Sequence, residues 1–143
     1  MGKLIIKKAI MILIPFLCLV SCHELADESV LQNESVVINN NLFIETTTNN
    51  YTITDVNLNG NLLSIKISSS GCCGDSWAAV LVDADEILES NPVQRNIKFS
   101  LENTEACLAI FEKEFTFEIG VLKEDFTEVI LNLTGWDTQI NYN

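Results

Sequence analysis

Strict alternation of apolar and polar residues, repeated at short intervals from residue 35 to the end, constrains this chain more than any other feature. Leu63, Ile65 and Ile67 alternate with Ser64, Lys66 and Ser68, and Ile97, Phe99 and Leu101 alternate with Lys98 and Ser100. Phe115, Phe117 and Ile119 repeat the pattern around Thr116 and Glu118, and Val129, Leu131 and Leu133 repeat it again. A period of two sets one face of an extended segment on a core and the other in water, as in an antiparallel sheet. Val36-Val37-Ile38, Leu42-Phe43-Ile44 and Cys107 to Glu112 read as further short strands. Tyr51 to Leu58 is joined to Leu62 to Ser68 by Asn59-Gly60, a dipeptide that tolerates the positive φ of a type I′ hairpin turn. Trp77 to Val82 is continuously apolar, which suits a strand buried on both faces and assigns Trp77 to the core. Asp83 to Ser90 is acidic and is expected to hold a helical turn, ended by Asn91-Pro92. Roughly eight or nine strands about ten residues apart predict an all-β fold, an antiparallel, immunoglobulin-like β-sandwich forming one domain over 35–143, with an open barrel second.

The residues before this domain follow another grammar. Lys3, Lys7 and Lys8 precede an uncharged apolar stretch from Ala9 to Val20, and the small residue Ser21 then leads into Cys22. Basic, apolar and small residues in that order make a secretory signal peptide. The apolar stretch is shorter than the ~20 residues that cross a bilayer. Leu19-Val20-Ser21-Cys22 looks like the lipobox of bacterial lipoproteins. That resemblance implies that residues 1–21 are removed and that Cys22 becomes a lipidated N-terminus held in a membrane. His23 after the cysteine implies, by similarity to enterobacterial sorting, the outer membrane. Residues 22–34 are polar and acidic without periodicity and read as a tether.

Charge narrows the range of partners. The chain carries a formal charge of −12, and loss of three lysines with the leader takes it to near −15. Lys66, Arg95, Lys98, Lys113 and Lys123 are then the only fixed cations against 20 acids. Phosphate contacts dominate nucleic-acid affinity, so a nucleic-acid partner is not expected. Three of the five cysteines, Cys72, Cys73 and Cys107, remain in the folded part, and an oxidising compartment permits one disulfide among them. Gly71 and Gly74 bracket the cysteine pair and mark a bend, from which a bond to Cys107 would tie two strands; the residues alone leave Cys72 and Cys73 both open as the partner. Adjacent cysteines seldom bond each other, because the peptide between them is strained.

Catalytic constellations are sparse. The single histidine, His23, belongs to the tether, which argues against a histidine-based hydrolase. Zinc needs about four ligands, and neither a C-x-x-C pair nor a histidine in the folded part supplies them, so no metal or cofactor is expected. Asp83-Ala84-Asp85-Glu86 with Glu89 lacks the central glycine and late glutamate of a calcium-binding EF-hand loop and reads as a solvated acidic segment. The acids are numerous but no pair stands out as the two carboxylates of a glycosidase. Trp136, between Gly135 and Asp137 in a loop, is the residue best placed to stack on a ligand such as a sugar.

Ser70-Gly71-Cys72, Cys107-Leu108-Ala109, Lys113 to Ile119 and Val129 to Leu133 together resemble the small secreted lipoproteins of Bacteroidota-type bacteria. The β-sandwich of that group carries an S-G-x-C turn and a later C-x-A strand. The similarity spans Leu62 to Tyr142; it implies export, a β-sandwich and a disulfide through Cys72 to Cys107, but no activity. Cys73 departs from the single cysteine of that turn. The chain is thus expected to be a non-enzymatic, membrane-anchored lipoprotein whose domain binds a protein or glycan or serves a structural role. A carboxylate-based hydrolase acting on polysaccharide is the alternative, and a thiol-redox or metal-handling role for Cys72 and Cys73 is a third.

Overall fold

The computed structural model describes residues 33–34, 36–123 and 125–143. The expected leader, Cys22 and His23 lie outside them. In chain order the elements are β1 (Asn33–Glu34), β2 (Val36–Ile38), α1 (Asn40–Glu45), β3 (Thr52–Asn59), β4 (Leu62–Gly71), β5 (Ala78–Leu88), β6 (Val93–Glu102), β7 (Ala109–Glu118), β8 (Val129–Leu133) and β9 (Ile140–Tyr142). They form two sheets, ordered β1-β7-β4-β3 and β2-β5-β6-β8-β9. The fold is all-β, as the alternation predicts. Among the described residues no helix is long and apolar enough to cross a membrane.

The alternating residues do what their spacing demands. Leu63, Ile65 and Ile67 of β4, Ile97 and Phe99 of β6, Phe117 of β7 and Leu131 of β8 are fully buried in one cluster drawn from both sheets. Phe99 sits near its centre, with the rings of Tyr51, Phe115 and Phe117 at 5.0, 5.4 and 5.9 Å. Tilted and edge-on aromatic pairs of this kind contribute ~0.5–1.5 kcal/mol each beyond their burial. Trp77 is buried in the same cluster, as expected of the residue that opens the apolar run. The β3–β4 hairpin forms where expected, but Asn59 pairs with Leu62, so the two turn residues are Gly60 and Asn61; of these only Gly60 has a positive φ, +59°, which is the pattern of a type II′ turn and not of the expected type I′.

Five further expectations need correction. First, Leu42-Phe43-Ile44 is helical: the side chain of Asn39 accepts the amide of Leu42 at 3.0 Å and caps α1, and Lys98 Nζ donates to the carbonyl of Phe43 at 2.7 Å near its other end. Second, no helical turn follows Asp83. Strand β5 continues to Leu88, because Asp83 shares the inward parity of Ala79 and Leu81 and its buried charge is met by Arg95. Third, Cys107 precedes its strand rather than opening it; β7 begins at Ala109 and runs unbroken to Glu118.

Fourth, the sheets are not purely antiparallel. Four pairings are antiparallel, but β1·β7, β2·β5 and β6·β8 are parallel. After β7 the chain passes through a short 3-10 turn, Gly120–Leu122, into the other sheet and enters β8 running alongside β6. Fifth, Asn33 and Glu34, assigned to the tether, form β1 and pair with Thr116 and Phe117, so these two residues belong to a sheet of the domain expected to start at residue 35.

Candidate functional site

Strands β6 and β8 present a row of amide side chains at the edge of the loop that follows β8. Burial of Ile97, Leu131 and Leu133 turns the intervening Gln94, Asn96 and Asn132 away from the core. The parallel register sets Gln94 beside Ile130 and Asn96 beside Asn132, so the amides come into reach of one another. Asn132 Nδ2 donates to Gln94 Oε1 at 3.1 Å and to Asn96 Oδ1 at 3.4 Å. Gln139 Nε2 reaches Asn132 Oδ1 at 3.2 Å and Gln94 Oε1 at 3.4 Å. An amide offers two donors and an acceptor with two lone pairs, so a row of four retains hydrogen-bonding capacity of both kinds toward solvent.

Trp136 stands at the end of this row. The chain turns there because Gly135 adopts φ +86°, which a residue with a Cβ adopts only under strain, and the amide of Trp136 donates to Leu133 O at 3.1 Å. Its indole is half-buried and rests partly on the core. It lines two shallow depressions, one of about 170 Å³ shared with Asn96, Asn132 and Gln139, the other of about 330 Å³ shared with Ile53 and Thr138. An aromatic face beside convergent amides and hydroxyls is the arrangement that accommodates a sugar ring: the indole packs on its C–H face while the amides exchange hydrogen bonds with its hydroxyls. Asp137 is the one carboxylate lining either depression.

At the other predicted site the structure joins Cys72 to Cys107 in a disulfide with a Cα–Cα distance of 4.9 Å. Cys73 is not in the bond; its thiol lies 3.3 Å from Asp75 Oδ2. Glu105 carries no signal in the sequence, yet it organises this turn. Its carboxylate accepts the amides of Cys72, Cys73 and Gly74 at one oxygen and the Ser76 hydroxyl, at 3.0 Å, at the other. Consecutive amides aimed at one anion form a nest. Gly71 has to be glycine here, since a Cβ would stand 2.5 Å from the Glu105 carboxylate and 2.9 Å from the Trp77 ring.

Desolvation alone would raise the pKa of Glu105, but the amides of Gly74, Cys73 and Cys72 and the Ser76 hydroxyl outweigh it and hold the group down to about 2. A depressed folded-state pKa stabilises the latch above the ordinary carboxylate value and withdraws that support as pH falls through the folded value. The amide resonances of Cys72, Cys73 and Gly74 are therefore expected to shift together in a pH titration with a midpoint of about 2. In Glu105→Gln the same resonances should be flat between pH 5 and about 2.

Among the described residues no cluster of three or more histidine, cysteine or acidic side chains is arranged to hold a metal. The acidic segment 83–89 divides: Asp83 is fully buried, whereas Asp85 is exposed and shares a depression with Asp125, away from Trp136.

No family model matches this chain, and no curated protein matches it in sequence. Two solved structures are similar to it in part. One is a protein of unknown function, DUF1344, from Bacteroides vulgatus, with a TM-score of 0.51 and 10% identity, covering 77% of this chain and 54% of that one. The other is a toxin-related protein from Parabacteroides distasonis, with a TM-score of 0.47 and 11% identity, covering 77% of this chain and 59% of that one. The chain thus spans little more than half the length of the structures it resembles. The first likeness establishes a shared fold and nothing about activity.

Proposed function

We propose that the chain is a lipoprotein of the cell envelope, anchored through Cys22 at the outer membrane, whose two sheets form an immunoglobulin-like sandwich that serves as a non-catalytic glycan-binding module. The observation that supports this reading is Trp136 standing beside the linked amides of Gln94, Asn96, Asn132 and Gln139. The parallel pairing of β6 and β8 is one of three departures of this sandwich from the usual all-antiparallel pattern, and it is the one that sets the amides side by side. The shallow, open shape suits a chain of sugars crossing the surface better than a small molecule enclosed by it.

The test is a titration of the protein with oligosaccharides of the envelope and of its surroundings, first on a glycan array and then by calorimetry. Trp136→Ala should weaken binding about ten-fold, the loss of one stacking face. Asn132→Ala, which removes the central member of the amide row, should weaken it further. Binding that survives both changes overturns the assignment, and release of reducing ends during incubation overturns its non-catalytic part. For the anchor, Cys22→Ala should accumulate uncleaved precursor and lose lipid label. A processed, soluble product from that variant would refute lipidation.

A further inference from the structure

A third depression, about 210 Å³, is lined by residues of β2, β5 and β6, of the 3-10 turn and of the segment that follows it. Three of its features are unusual on an acidic surface. Arg95 lines it although only 8% of that residue is exposed. The guanidinium spends Nε and Nη2 on the two oxygens of Asp83, at 2.9 and 2.6 Å, and among the described residues its Nη1 group makes no hydrogen bond. A buried planar donor with one edge unused is equipped to meet an acceptor that enters the depression.

Asp85 is the second feature. It adopts φ +54°, in the left-handed region that favours glycine, within a register shift between Asp83 and Ile87. Its amide donates to Asp83 Oδ1 at 2.8 Å, the same oxygen that Arg95 Nη2 holds. Bulges re-aim side chains, and strained residues of this kind concentrate at binding sites. Here the bulge brings Asp85 to line the depression with Asp125, so that two carboxylates stand there beyond the one that neutralises Arg95. The third feature is apolar: Ile38, Ile87 and Val121 line the same depression and are each about 40% exposed.

We propose that this depression binds the aliphatic N-terminal residue of a peptide. The charge balance selects a cation, and an α-ammonium group between Asp85 and Asp125 supplies it. The first carbonyl oxygen accepts from the unused edge of Arg95. An aliphatic side chain covers Ile38, Ile87 and Val121. The volume suits one residue and not a longer segment. A free amino acid offers the same ammonium and side chain, but its carboxylate adds a negative charge to a site that already has two in excess. This site is independent of Trp136, and its fate does not bear on glycan binding.

The experiment is an amide-shift titration of the full chain, purified in detergent, with L-leucinamide, the dipeptide Leu-Gly, free L-leucine and N-acetyl-leucinamide. Leucinamide and Leu-Gly should shift the resonances of Asp85, Ile87 and Val121 in a saturable way, with free leucine weaker and the acetylated compound inert. Asp85→Asn keeps a residue that tolerates the left-handed backbone, and it and Asp125→Asn should each weaken leucinamide about five-fold. Equal binding of the acetylated compound, free leucine at least as tight as Leu-Gly, or affinity untouched in both variants overturns the proposal. So does the absence of any shift at 20 mM leucinamide in the folded protein.

Discussion

Replacing Arg95 by methionine is expected to cost about 3 to 5 kcal/mol of stability, more than any single change at the surface. Asp83 has no exposure at all, and among the described residues its carboxylate has only Arg95 and the amide of Asp85 as partners. Removing the guanidinium leaves an anion in the interior with one neutral hydrogen bond. Asp83→Leu should be milder, since the guanidinium retains an outlet toward the depression that Arg95 lines. The double variant Asp83→Leu/Arg95→Met removes both charges, and it should recover most of the loss. Urea denaturation of the three variants measures this. A double variant as unstable as Arg95→Met would show that the pair is held by packing and not by its charges.

Opening the Cys72–Cys107 bond is expected to have an effect of similar size through a different cause. The bond closes a loop of 35 residues that includes all of β5 and β6. Constraining a loop of that length in the unfolded chain contributes about 3 to 4 kcal/mol on the chain-entropy model. Cys107→Ser should lower the urea midpoint accordingly, and addition of reductant should lower the parent protein to the same value. The loss also reaches Glu105, two residues away in sequence, which latches the Cys72–Gly74 amides. Double-mutant analysis of Cys107→Ser with Glu105→Gln should therefore give a combined loss that differs from the sum of the two. Strict additivity would show the bond and the latch to be independent.

The strands were legible wherever burial follows parity. Leu63, Ile65 and Ile67 declare an inward face, and the glycine of the Asn59-Gly60 pair marks the turn before it, one residue later than the pair itself suggests. The same parity carried two charges that alternation, used as a search for apolar residues, passes over. Arg95 is in step with Ile97, Phe99 and Leu101, and Asp83 with Ala79 and Leu81. Charges at inward positions of neighbouring strands signal a buried pair, and reading Asp83 only as part of an acidic segment concealed it. Leu42-Phe43-Ile44 misled for the opposite reason. Three apolar residues in a row fit a strand, but Asn39 supplies a cap and Ile44 is 69% exposed, so local hydrogen bonding decided the conformation where burial did not. Trp136 could be singled out because a tryptophan among small polar residues in a loop has no core to join by periodicity. Its amide partners could not, since Gln94 and Asn132 are brought together by a parallel pairing that nothing in their spacing announces. Glu105 lies beyond any pattern, because its partners are backbone amides about 30 residues earlier in the chain.

The placement of β1 and β2 also sets an order in time. These first two strands pair in parallel with β7 and β5, and the register joins Asn33 to Thr116, across roughly 80 residues of intervening chain. A parallel partner cannot be reached by a tight turn, so each pairing waits for a large loop to close. β3 and β4, by contrast, zip from their two-residue turn. As the polypeptide emerges N-terminus first, its opening strands have no edge to join until β5 and β7 have been made and seated. The residues synthesised earliest in this domain are thus among the last to be ordered, and assembly runs from the interior of the chain outward, toward the end from which it would be tethered.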